Sequence, residues 1–227
     1  VIEDAAHAFG TIYNEKLIGA QGDVVCFSFD GIKNITSGEG GAILTRDNDV
    51  ADKARDIRLL GVINDTEKRY KSKRSWDFDV KEQGWRCHMS NIMAAIGRVQ
   101  LKRFEKELKP KRIKLHKHYR DLLLNIDSVK LFESDLEKVV PHIMPIKIID
   151  CDRDVIRKNL TELGIENGIH YKPNHLLSYF SKEIDKNLNV ANKLYEQIMT
   201  LPLHPDLSIK DLNYICESLN KCIEGAK

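Results

Sequence analysis

Val24-Val25-Cys26-Phe27-Ser28-Phe29 runs directly into Asp30-Gly31-Ile32-Lys33, then into Thr36-Ser37-Gly38-Glu39-Gly40-Gly41 and on through Ala42-Ile43-Leu44-Thr45. The two apolar runs, 24–29 and 41–45, are short, continuous and bounded by glycine, which reads as two buried strands. The glycine-rich stretch between them lacks the G-x-x-x-x-G-K spacing of a phosphate loop. It also leads into a strand where such a loop requires a helix, so it reads as a tight connection. Lys33, just past a buried strand, is either an ordinary loop residue or an amine placed to attack a carbonyl and form a Schiff base. Ser28 offers a hydroxyl to a phosphate.

Upstream, Val1-Ile2-Glu3-Asp4 reads like the middle of a strand, with no initiator methionine, as if the chain were entered part-way. Asp4-Ala5-Ala6-His7 follows its end, and open α/β sheets bind ligands at the carboxyl ends of their strands. An acid there can pair with a ring cation while two small residues let a flat ring lie against the backbone. The alternative is a surface acid at a strand-to-loop transition.

Downstream, residues 49–60 have helical spacing, with Val50, Ala54, Ile57 and Leu60 on about one face. Residues 64–83 read as a polar surface loop. Ser90 caps a helix carrying Ile92, Ala95, Ile96, Val99 and Leu101, and the pattern continues to about Leu124 with a break or kink expected at Pro110. Strands are expected at 129–132, 142–149 and 165–171, and helices at 153–163, closed by Gly164, at 190–199 and at 209–223. The fold class is therefore α/β in residues 1–125 and a small α+β unit in residues 126–227. His170-Tyr171-Lys172-Pro173-Asn174-His175 could meet an anionic ligand or simply close a strand; metal ligands at zinc-like spacing are lacking, and no metal is expected.

The chain has 227 residues, enough for one large domain or two modest ones. Lys plus Arg number 36 and Asp plus Glu 34, so the net charge of +2 argues against a dedicated nucleic-acid binder. No stretch approaches the roughly 20 apolar residues of a membrane-spanning helix. Five cysteines without a C-x-x-C pair suggest free thiols in a reducing cytoplasm.

Taken in order, the motifs resemble those of the DegT/DnrJ/EryC1/StrS family of sugar-nucleotide aminotransferases. The match takes in Glu3-Asp4-Ala5-Ala6-His7-Ala8, Phe27-Ser28-Phe29 with Lys33, and Gly38-Glu39-Gly40-Gly41. It continues through His88-Met89-Ser90-Asn91, Ala94-Ala95-Ile96-Gly97, Gln100-Leu101, the 170–175 segment and Leu201-Pro202-Leu203-His204-Pro205. The resemblance implies a fold-type I large domain, with a mostly parallel sheet and helices, lacking its amino-terminal part, plus a small carboxyl-terminal domain. It implies pyridoxal 5′-phosphate as cofactor. Lys33 would be the Schiff-base lysine and proton carrier, Asp4 the partner of the ring nitrogen, Ala6 the residue under the ring, His7 a ring neighbour and Ser28 a phosphate ligand. His170, Tyr171 and His175 would line the sugar-nucleotide site. Glutamate would be the amino donor, a keto sugar on a nucleotide the acceptor, and a cytoplasmic homodimer with shared sites the working form, serving synthesis of surface polysaccharide, such as O-antigen, or of antibiotics.

Two departures stand out. Arg86 replaces an asparagine that reaches the phosphate in many members, with His88 where they have arginine, and Asp30 stands where many have histidine. Arg86 suits a phosphate through its forked guanidinium. The basic run Lys68, Arg69, Lys71, Lys73 and Arg74 either meets the nucleotide phosphates or is a solvated loop. Lys33 argues against the related sugar dehydratases, which carry histidine there. The competing reading is a catalytically incomplete fragment or pseudoenzyme that binds sugar nucleotide or dimerises.

Overall fold

The computed structural model describes residues 1–63, 78–180 and 188–226; the basic run 68–74 lies outside them. The chain divides into two units, Val1–Lys109 with Lys138–Val140, and Pro110–Glu137 with Pro141–Lys227. The division falls at Pro110, within a helical run, where the sequence suggested a boundary near residue 125.

In the first unit β1 (Ile2–Asp4) pairs in parallel with β4 (Val24–Ser28), and β4 pairs antiparallel with β5 (Gly41–Thr45). The described sheet thus has one parallel and one antiparallel pair, where a mostly parallel sheet was expected. The reason is local: residues 29–40 contain no helix to carry a crossover, so the chain folds straight back. Between β1 and β4, β2 (Ile12–Tyr13) and β3 (Lys16–Leu17) form a hairpin that the sequence did not reveal. Its two turn residues, Asn14 and Glu15, both have positive φ, as tight hairpin turns demand. Phe9 sits edge-on to Phe27, Phe29 and Phe104, with ring centroids 5.4, 6.2 and 4.9 Å away, and this aromatic cluster joins the sheet face to Ile35, Leu108 and Val140.

Helix α1 (Asn48–Ile57) starts at Asp47, whose carboxylate accepts from Asp49 N and Val50 N. It stops short of Leu60, whose backbone turns to φ 64° and bonds to Trp85 O. Helix α2 (Asn91–Arg103) is capped by Ser90 Oγ, as expected, and buries none of its residues. A π-helical turn, Phe104–Leu108, then leads into α3 (Lys109–Leu123). Pro110 therefore sits in the first turn of α3, where a missing N–H is tolerated, and does not break the helical run.

The second unit is built on an antiparallel sheet, β6 (Val129–Leu131), β7 (Met144–Ile148) and β8 (Ile198–Leu201), with β7 central. Met144, Ile146 and Ile148 alternate into the core. They join Tyr119 and Leu123 of α3, Ile156 and Leu160 of α4 (Arg153–Glu162), and Leu212 and Leu219 of α6 (Ile209–Glu224). Ser208 and Asp211 form a capping box at the start of α6. The helix expected to reach Met199 ends earlier. Helix α5 (Asn189–Gln197) stops at Gln197, and β-branched Ile198 and Thr200 open β8. The strand expected at 165–171 is reduced to a single bridge, Gly168 with Thr200.

Buried Arg112 donates to the carbonyls of His142 and Leu203, both at 3.2 Å, and burial pulls its guanidinium down to about 10, still charged at neutral pH. One turn along α3, His116 is buried, and its Nδ1 finds no hydrogen-bond partner among the described residues. Burial, reinforced by the Arg120 charge, pushes its imidazole from 6.5 down to about 4. The unfolded chain therefore takes up a proton below pH 6.5 that the folded chain refuses. The stability present above pH 6.5 should fall by about 3 kcal/mol as the pH drops to 4. Urea titrations across that window test this: His116→Gln should flatten the pH profile, and an unchanged profile would contradict it.

Candidate active site

The parallel register Ile2↔Val24, Glu3↔Val25, Asp4↔Cys26 brings the carboxyl ends of β1 and β4 to one edge of the sheet. Asp4 ends β1. Its Oδ1 accepts from Ala6 N at 3.0 Å, while Ala5 N donates to Cys26 O at 2.9 Å, so the loop folds over the strand ends. Ala5 is buried, Ala6 half-buried and His7 exposed. Ser28 ends β4, and its Oγ accepts from Asp30 N at 3.4 Å, an orientation in which its own hydrogen can donate to an anion.

Residues 30–33 form a turn closed by Lys33 N donating to Asp30 O at 3.1 Å. The Asp30 carboxylate accepts from Ile32 N at 3.2 Å, so it stabilises the turn that presents the lysine. Lys33 Nζ then lies 2.9 Å from His7 Nε2. Two residues far apart in sequence, each singled out for separate reasons, are brought into contact.

The glycine-rich turn is the tight connection expected. Thr36 Oγ1 accepts from Gly38 N, Ser37 Oγ donates to Glu39 O, and Phe29 N donates to Gly40 O. Gly41 pairs with Ser28, and a Cβ on it would overlap the Phe27 carbonyl oxygen, so this position admits only glycine. Glu39 lines a cavity of about 850 Å³, together with Phe27, Arg58, Cys87, His88 and Met93; Asp4, His7 and Lys33 do not line it. Arg86 is exposed and held by a backbone bridge with Leu59.

In the second unit, His170 Nδ1 is 2.9 Å from Thr200 Oγ1, and its ring meets Tyr171 edge-on at 4.7 Å. His175 is buried, with Nε2 2.6 Å from Asn192 Oδ1. Both histidines thus anchor the segment to neighbouring elements, while Tyr171, 59% exposed, projects from it. The sequence did not single out Asn34, a buried residue next to Lys33. Its Nδ2 donates to Phe9 O at 3.1 Å and to Val140 O at 3.2 Å. No local pattern announces it, because its partners lie 25 and 106 residues away.

Residues 1–220 match the model of the DegT/DnrJ/EryC1/StrS aminotransferase family. The chain is 31% identical over 235 residues to the spore coat polysaccharide biosynthesis protein SpsC of Bacillus subtilis, covering 100% of this chain and 60% of that protein. It is 28% identical to a UDP-4-amino-4,6-dideoxy-N-acetyl-beta-L-altrosamine transaminase of Campylobacter jejuni, covering 100% of this chain and 59% of that protein. Among solved structures, the putative sugar aminotransferase Spr1654 of Streptococcus pneumoniae in its PMP form superposes with a TM-score of 0.87 at 28% identity, over 99% of this chain and 59% of that one. The chain thus spans about 60% of the length of the curated relatives it matches.

Gly41→Ala should destabilise the chain by more than about 1 kcal/mol, because a main-chain oxygen has to move. A lowered urea midpoint at unchanged slope is the expected result; an unchanged midpoint would show that the β4–β5 approach is looser than described.

Proposed function

The chain belongs to the DegT/DnrJ/EryC1/StrS aminotransferase family, and from that premise we propose that it serves pyridoxal phosphate-dependent transfer of an amino group, from a donor such as glutamate to a keto group of a nucleotide-linked deoxysugar. The observation that carries the proposal is the contact of Lys33 Nζ with His7 Nε2 at the edge where β1 and β4 end, the edge that also holds Asp4 and Ser28. The relatives' names support the substrate class: one acts in polysaccharide biosynthesis and another is a UDP-amino-sugar transaminase. Structures in PLP and PMP forms among the neighbours support the cofactor.

The residues present fit that cofactor. Asp4 offers a carboxylate for a protonated ring nitrogen, half-buried Ala6 leaves room beside a flat ring, and the Ser28 hydroxyl can donate to a phosphate oxygen. When bound, pyridoxal phosphate supplies an aldehyde that exchanges amines and a ring that withdraws electrons. Lys33 would hold the cofactor through its amine and would act as the base that takes and returns a proton at Nζ. His7 holds that amine toward the strand ends through Nε2.

Of His170, Tyr171 and His175, Tyr171 is the one exposed to meet a sugar nucleotide, with His170 and His175 keeping the segment in place. Arg86, exposed on its bridge, suits a phosphate contact in a homodimer with shared sites. A cytoplasmic setting belongs to the same proposal, and no described helix is long and apolar enough to cross a membrane.

Mixing the chain with pyridoxal phosphate, trapping with borohydride and mapping the adduct by mass spectrometry tests this. A visible absorbance band and a pyridoxyl group on Lys33 are expected, and Lys33→Ala should lose both. Adducts scattered over surface lysines without a band would contradict the proposal.

A further inference from the structure

Resting on that proposal, we infer that Asn34 is a positioning residue that holds the Lys33 amine in register with His7 by tying together the two loops that carry them. Asn34 is 3% exposed and follows Lys33 directly, so its placement fixes the end of the turn that presents the lysine. One Nδ2 hydrogen goes to Phe9 O, two residues beyond His7. The other goes to Val140 O. Val140 N in turn lies 3.4 Å from Thr11 Oγ1, and Ile12 N donates to Lys138 O at 2.8 Å. The 138–140 segment therefore braces the far side of the His7 loop and gives the Asn34 amide a fixed second anchor.

The amide is used in one orientation only. Its Oδ1 is buried without a hydrogen-bond partner, and flipping it would set that oxygen against two carbonyl oxygens. The loop carrying His7 and the turn carrying Lys33 also meet at the surface through the 2.9 Å approach of Lys33 Nζ to His7 Nε2. The loop's anchor to the core is Phe9, whose ring packs among Phe27, Phe29 and Phe104 and whose carbonyl Asn34 holds. One buried side chain thus converts packing around Phe9 into alignment at Lys33. Leu, Ala or Ser at this position would fill space without two donors, leaving both carbonyls unmatched.

The test reads the His7–Lys33 contact in the full chain without any cofactor. With Lys33 Nζ donating, the neutral His7 ring accepts at Nε2 and carries its proton on Nδ1, a tautomer that nitrogen-15 NMR distinguishes from the mixture found in free imidazole. Wild type should show the Nδ1–H form. Asn34→Ala and Asn34→Leu should relax it toward the free mixture, and the rate of pyridoxyl labelling at Lys33 should fall on the order of tenfold to a hundredfold. In a His7→Phe background the Asn34 substitutions should add little further loss of labelling, because both act on one contact. Should both variants fail to fold, slow exchange of the Asn34 side-chain amide protons and their couplings to the Phe9 and Val140 carbonyls in wild type decide whether the tie exists.

A His7 tautomer unchanged in folded Asn34 variants, whatever their loss of stability, would overturn the inference, as would wild type lacking the Nδ1–H signature or the amide couplings. If the signature responds to Asn34 while Lys33 takes no pyridoxyl group, the positioning role stands and the aminotransferase proposal falls.

Discussion

The parallel pairing of β1 with β4 is the constraint on which the candidate site depends. Three register pairs place Asp4 beside Cys26 and let both strands end at the same edge. From there the chain has only to turn over the strand ends, and it does so twice, through residues 5–9 and 30–33. An antiparallel pairing would send Asp4 and Ser28 to opposite ends of the sheet. Strand direction thus gathers an acid, a hydroxyl and an amine that lie up to 29 positions apart in sequence.

Behind that edge, stability comes from ordinary packing with a few polar ties at chosen points. Phe9 and its three aromatic neighbours fill the space beneath the loops. Gly41 lets β5 approach β4 closely enough to hold Ser28 in line. The second unit follows the same economy with other parts. Arg112 gathers carbonyls from two loops, and His175 and His170 hold the 170–175 segment against Asn192 and Thr200. Two of the three residues expected to face a sugar nucleotide there are therefore bonded to the protein itself, and the exposed one is the tyrosine.

Much of this was legible in the sequence, for identifiable reasons. Continuous apolar runs marked β4 and β5, helical spacing marked most of α1, the Ser90 cap marked the start of α2, and the order of short motifs pointed to the family. Signals failed where the deciding contact is remote. The end of α5 and the start of β8 share apolar residues that suit either element, and pairing with β7 decides between them. Pro110 read as a break because nothing local shows the π turn ahead of it. The sheet direction at β5 followed from an absent crossover helix rather than from composition. Asn34 left no signature because one of its carbonyl partners belongs to the remote segment 138–140.

The claim that the ends of β1 and β4 form one cofactor site is tested most directly by a crystal structure of the chain grown with pyridoxal phosphate. The account predicts density continuous with Lys33 Nζ, the ring nitrogen within hydrogen-bond distance of Asp4 and the phosphate against the Ser28 hydroxyl. A cofactor joined to another lysine, or bound with Asp4 and Ser28 out of reach, would contradict it.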